Sequence, residues 1–340
     1  MVQQMSNDTN EKSQQSALKQ HFFSLPTLIS FVVAITVIYL LTTSFDLDWN
    51  ETWGNIRSIN PGLYLLALLL YYLSFWFRGL RWRTLAHNSV RNDSSYIYLP
   101  SILTFSQLIL VGWFVNAIAW LRLGDAYRAY SLSNYLNKSF SWSIGTVFAE
   151  RAMDMITIFA LILIGIGLFS FTRNSTEIGH LLIASIFMVT FLGILLILMR
   201  GYGAKFARIL PKRIELAYLR FHQGALGSLK QIPLVFGLGL VGWLLEIARL
   251  YLVVQALNIS ADFPLILIVS LGHAILSTVP TPGGIGAVEP GMTGLLMLGM
   301  LKESAVSITL IDRSITYLSI IVLGGLAFLM WQYSNSRKRN

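Results

Sequence analysis

The chain has 340 residues, 55% hydrophobic and 12% charged, with no cysteine and a formal net charge of +9. A soluble domain carries roughly 25% charged residues, so this sequence cannot clothe a water-facing surface. Soluble enzymes and free nucleic-acid-binding proteins are thereby excluded, and thiolate catalysis, cysteine-ligated metals and a disulfide scaffold go with the missing cysteines.

In chain order, residues 1–24 open on a Gln-, Ser- and Asn-rich stretch that cannot bury enough surface to fold, and read as a disordered cytoplasmic tail. The stretch lacks the basic-then-apolar layout of a signal peptide, so the apolar run 25–45 reads as a retained membrane helix. Further apolar segments lie near 60–77, 100–121, 141–171, 180–199, 233–257, 263–280, 285–301 and 307–331. A span needs roughly 20 apolar residues, and a polytopic membrane domain is expected over 25–334, followed by a basic cytoplasmic tail at 335–340.

Flanking charges predict sidedness. Loop 78–98 carries Arg78, Arg81, Arg83 and Arg91, and 200–230 carries seven cations against Glu215. With the basic C-terminus, these are expected in the cytoplasm, and loops 46–57, 172–180 and 258–262 outside. Residues 122–140 are also basic, so both ends of 100–121 fall on one side. Likewise 263–301 must start and end outside. The expected fold is all-α: about six full spans plus two opposed re-entrant helical hairpins, the pattern of inverted-repeat transporters. A weak internal echo agrees: Gly124 precedes Arg151, and Gly286 precedes Arg313, by the same 27 positions, and each Arg follows an acid.

Polar groups at membrane depth are costly and need partners, which directs attention to three clusters. Arg78 and Arg81 share a helical face; they read either as a positive-inside anchor or as a clamp on a lipid phosphate. Asn116, Arg122, Asp125 and Arg128 precede Glu150, Arg151 and Asp154, which sit within one long apolar helix. Arg151 either pairs with Asp154 or Asp125 as structural glue, or joins Arg122 and Arg128 around an anionic headgroup, for which the planar guanidinium fork is suited. The third cluster is Pro280-Thr281-Pro282-Gly283-Gly284-Ile285-Gly286, followed by Glu289. Its prolines lack donors and its glycines permit positive φ, so no continuous helix passes. It reads as a water-exposed turn or as a cavity-lining break whose helix start faces an anion, with His273, Asp312 and Arg313 as neighbours.

Two smaller signals remain. Trp243, Glu246 and Arg249 are spaced for one face, with Glu246 and Arg249 expected as an intrahelical pair. The segment 203–230 reads as interfacial and amphipathic, broken at Pro211. Gly237-x-Gly239-x-x-Gly242 mimics a dinucleotide fingerprint, but its context is a membrane helix. No metal site, cofactor motif or ATP-hydrolysing loop is expected.

Arg78-x-x-Arg81-Trp82-Arg83, Arg122-x-Gly124-Asp125-x-x-Arg128, Glu150-Arg151-x-x-Asp154 and Pro280-Thr281-Pro282-Gly283-Gly284-Ile285-Gly286-x-x-Glu289, in this order, resemble the flippase-like transmembrane family. That family supplies the membrane half of bacterial lysylphosphatidylglycerol synthases and also occurs as stand-alone proteins. The resemblance covers about 25–331; family members typically carry a proline before the Arg-x-Gly-acid motif, where Ala119-Trp120 stand here. A soluble synthase domain is absent from this sequence.

The resemblance implies movement of a lipid or lipid-linked substrate between leaflets of the cell membrane. Anionic headgroups or polyprenyl phosphates are the expected partners, together with a separate lipid-modifying synthase and no nucleic acid. Arg122, Arg128, Arg151 and Arg313 would draw the headgroup into a cavity. The rival expectations are an intramembrane transferase using Asp125 or Glu289, as some relatives are linked to glycosyl transfer onto polyprenyl phosphates, and a non-catalytic partner of a synthase.

Overall fold

The structure is a computed structural model that describes residues 49–90, 98–172, 179–209 and 211–337. The expected tail at 1–24, the span at 25–45, Arg91, most of loop 172–180 and the last three residues of the basic tail lie outside the described residues.

The elements are α1 (Trp49–Arg57), α2 (Pro61–Val90), α3 (Ile102–Ile118), α4 (Leu123–Leu136), α5 (Phe140–Thr172) and α6 (Gly179–Ala207). They continue as α7 (Lys212–Ser228), α8 (Ile232–Ala256), α9 (Phe263–Leu276), α10 (Val288–Leu296), α11 (Lys302–Arg313) and α12 (Gly325–Arg337). No strand occurs among the described residues. Among the described residues, five helical stretches are long and apolar enough to cross a membrane: α2, α5, α6, α8 and the α11–α12 run. The two shorter apolar helices are α3 and α9, the leading arms of the two expected hairpins. Leu69, Leu73, Ile197, Leu244, Val322 and Leu326 lie exposed on the outside of the bundle. Such a band would aggregate in water but is at home against lipid tails. This is an all-α, multi-pass membrane protein.

Local signals account for the helix starts. The Asn60 side chain accepts the Gly62 and Leu63 N–H groups at 3.0 and 3.2 Å, and Pro61 stands where a missing donor costs nothing. Ser101 caps α3 through the Thr104 N–H at 3.2 Å. One expectation needs correction. The segment 78–98 is not a loop from its start: α2 continues through Arg78, Arg81 and Arg83 to Val90, and Arg78 and Arg81 are buried. Hydropathy ended the span at these arginines because it registers their charge and not their buried partners.

Antiparallel packing of α2 on α8 is the most extensive helix pairing. Asn60 N–H donates to the Ala256 carbonyl at 2.7 Å, Arg249 covers the Tyr71 ring, Arg78 meets Glu246, and Arg81 crosses Gly239. Position rises along one helix as it falls along the other. Both helices lead into an interrupted pair, α3–α4 after α2 and α9–α10 after α8, so the two halves are related by inversion.

Each interrupted pair packs on the opposite half. Gly165 of α5 meets Leu267 and Ile268 of α9, and Gly324 before α12 meets Phe114 of α3. Within the first pair, a Cβ on Gly124 would lie 1.8 Å from the Gly112 carbonyl oxygen, so only glycine allows α4 to touch α3 there. The connecting α7 buries Gly224, Ala225 and Ser228 against α2 and α5, leaving Ile214 and Leu216 exposed.

Candidate functional site

The two interruptions meet at Leu121 and Pro280, both of them exposed. At the first, Leu121 and Arg122 take left-handed φ of 58° and 53°, a conformation that costs a non-glycine residue about 1–2 kcal/mol. At the second, Gly283, Gly284 and Gly286 supply φ of 59°, 72° and 82° without that cost. Pro282 and Gly284 are buried while Pro280 is exposed, so the second break runs from the protein surface into its interior.

A broken helix leaves carbonyl groups without helical donors. Here guanidinium groups take them. Arg122 Nη1 donates to the Ser277 carbonyl at the end of α9 at 2.7 Å, and Arg313 Nη2 donates to the Gly283 carbonyl at 3.0 Å. Leu121 N–H reaches the Pro280 carbonyl at 3.4 Å, tying break to break. Asn116 accepts the Gly124 N–H at 2.8 Å and so fixes the start of α4.

Around the breaks lies a cavity of about 320 Å³. Of the residues expected at a site, Arg78, Asn116, Arg122, Asp125, Arg151, Asp154, Gly283 and Arg313 line it. Five arginines and three carboxylates face it, because Arg249 and Glu246 join from α8. Arg122, Arg151 and Asp125 are its accessible charges, with side chains 27%, 24% and 20% exposed.

The remaining expected residues stand behind the wall. Arg128 is fully buried and bridges Glu150 at 2.7 Å and Asp125 at 3.2 Å. Arg81 meets Asp154 at 2.8 Å. These three, Arg81, Arg128 and Glu150, hold the lining in place and do not reach the cavity. Glu289 pairs with Arg313 at 2.8 Å. Its other oxygen accepts the Gly286 N–H at 2.8 Å. The anion expected at that helix start is thus the protein's own carboxylate, favoured there by the helix dipole.

Both structural readings of Arg151 hold at once: it meets Asp125 at 3.0 Å and Asp154 at 3.7 Å. Glu246 and Arg249 do pair, at 3.1 Å. They also extend further, Glu246 to Arg78 at 3.2 Å and Arg249 to Asp312. His273 faces Asp312 at 3.4 Å and not Glu289. Trp243 Nε1 donates to Asp154 at 3.2 Å and joins the two networks.

Aromatic rings complete the site: spacing had already grouped Trp243 with Glu246 and Arg249, whereas Trp113, Tyr317 and the place of Tyr71 under Arg249 were missed. Arg78 lies between the Trp113 and Trp243 rings, 5.2 and 4.9 Å from their centroids. Arg313 covers Tyr317 at 4.7 Å, and Tyr71 underlies Arg249. Tyr71 and Arg78 stand seven apart, two turns along one helix face, which was a readable signal. Within the glycine pattern at 237–242, Gly239 alone gains a reason: a Cβ there would lie 2.3 Å from Arg81 Nη1.

Comparison with known proteins places this architecture. The family model described as the lysylphosphatidylglycerol synthase TM region matches residues 27–324. A UPF0104 membrane protein of Methanocaldococcus jannaschii is 29% identical, covering 63% of this chain and 93% of that protein. Another from Methanothermobacter thermautotrophicus is 24% identical over 91% of this chain and 97% of its own length. The glycosyltransferase AglD of Haloferax volcanii is 21% identical over 87% of this chain but 53% of that protein. With the match spanning nearly all of its membrane helices, the chain belongs to the family of the lysylphosphatidylglycerol synthase transmembrane region.

Proposed function

We propose that this protein translocates a lipid, or lipid-linked substrate, with an anionic headgroup between membrane leaflets. The single observation that carries the reading is the arginine-rich cavity set where two opposed helix breaks meet. Its five guanidinium groups supply forked donors suited to an anion, and with Arg81, Arg128, Glu150, Glu289 and Asp312 counted behind the wall the set keeps an excess of one positive charge. The volume, about 320 Å³, lies at the lower end of small-molecule sites, roughly 300–1,000 Å³. It accommodates a headgroup while the acyl chains stay in the bilayer. Basic segments 200–230 and 335–340 face the cytoplasm of the cell membrane in this reading.

The test is leaflet exchange of a labelled anionic phospholipid in vesicles, comparing the parent chain with Arg151→Ala and Glu289→Ala. Exchange by the parent and its loss in both variants supports the reading. Equal exchange in all three refutes the site.

The similarity to AglD, a glycosyltransferase by name, favours a second reading, transfer of a sugar to a lipid carrier. Product formation from a nucleotide sugar by the purified chain, without lipid exchange, would select it.

A further inference from the structure

The cavity is lined in pairs. Arg151 and Arg313, Met155 and Tyr317, and Ile158 and Ile320 all line it, and the members of each pair stand 162 positions apart. The same interval separates Gly124, the second residue of α4, from Gly286, two residues before α10. The two-fold relation between the halves therefore runs through the cavity itself. Each twin arginine meets an acid in the first turn of the helix after its break, Asp125 at 3.0 Å and Glu289 at 2.8 Å.

The twins are not in identical states. The Arg151 side chain is 24% exposed and its Nε–H is without an acceptor, whereas Arg313 is 9% exposed and held to the Gly283 carbonyl. The helices differ as well. α5 is α-helical throughout, while the run after Arg313 passes through two π-helical segments, Ser314–Leu318 and Ile320–Gly324. Departures of this kind often mark functional positions in helices. In an inverted repeat, exchanging the conformations of the halves produces the state open to the opposite face.

We infer that the cavity contains two equivalent stations for one phosphate group, Arg151 with Asp125 and Arg313 with Glu289, used in turn as the halves exchange conformation. The inference rests on the translocation reading above and adds to it where the headgroup is held in each state. In the present structure the first station is open and the second is closed.

The chain contains no cysteine, so single cysteines report without background. Met155→Cys and Tyr317→Cys are introduced separately into the full chain in neutral phosphatidylcholine vesicles with known protein orientation. An impermeant maleimide is then applied to either face. Met155→Cys is expected to react from one face and Tyr317→Cys from the opposite face, since each station is open in only one of the two exchanged states. Short-chain phosphatidylglycerol at ten times its dissociation constant should slow both reactions about tenfold, as simple occupancy requires. Ile158→Cys and Ile320→Cys form a second twin pair should loss of the Tyr317 ring weaken the fold.

Reaction of the two twins from the same face or faces, or protection of one twin alone, overturns the two-station inference. Leaflet exchange by the parent chain is scored in the same vesicles. Exchange accompanied by one-station protection leaves translocation standing. Twin protection without any exchange overturns translocation while the paired site survives.

Discussion

Arg128→Met isolates the cost of a buried charge. Arg128 is fully buried, 2.7 Å from Glu150 and 3.2 Å from Asp125, with its guanidinium 4.9 Å from the Trp82 ring centroid. Asp125 retains Arg151 and Arg122 when Arg128 is removed. Glu150 does not fare as well: its side chain is 2% exposed, and Arg128 is its salt-bridge partner. Removing one member of a buried pair costs about 3–5 kcal/mol, because the other charge is left uncompensated. At about 2 °C per kcal/mol for a chain of this size, the unfolding temperature should fall by about 6–10 °C.

The double variant Arg128→Met, Glu150→Met removes both charges and should recover most of that loss, since apolar replacement of a whole buried pair is often near neutral. The assay is the surviving monodisperse fraction of detergent-solubilised full-length protein after heating, across a temperature series. A single variant within about 1 °C of the parent, or a double variant no better than the single, refutes the reasoning that places the cost on Glu150.

Three further outcomes follow from the packing. Gly124→Ala drives a methyl group to 1.8 Å from the Gly112 carbonyl oxygen and should separate α3 from α4, lowering yield of folded protein. Gly167→Ala, with nothing within 4 Å of the new atom, should leave heat survival unchanged or raise it slightly. Arg78→Lys keeps the charge but loses the flat face between Trp113 and Trp243. It should cost about 1–2 kcal/mol, seen as a lower unfolding temperature, and parity with the parent would discount the stacking.

Much of the architecture was legible before any coordinates. The spans at 141–171 and 233–257 agree closely with α5 and α8, because long apolar helices are written into consecutive residues. The break at Pro280–Gly286 was equally plain, since proline and glycine act through their own backbone. The first break was legible only through charge parity. It is made by Leu121 and Arg122, residues whose types do not announce a left-handed turn.

The sequence by itself determined the solvent, the helical class, the reversal of direction between the halves and the residues rich in charge. Those follow from composition and from intervals along one chain. Which charge pairs with which was decided only by tertiary structure. Arg78 and Glu246, 168 positions apart, and Arg249 and Asp312, 63 apart, meet only when α2, α8 and α11 pack. Folding likewise sorted the arginines into those facing the cavity, such as Arg122 and Arg151, and those sealed behind it, such as Arg81 and Arg128. Local sequence cannot separate these groups, because desolvation and pairing depend on the neighbours that other helices bring.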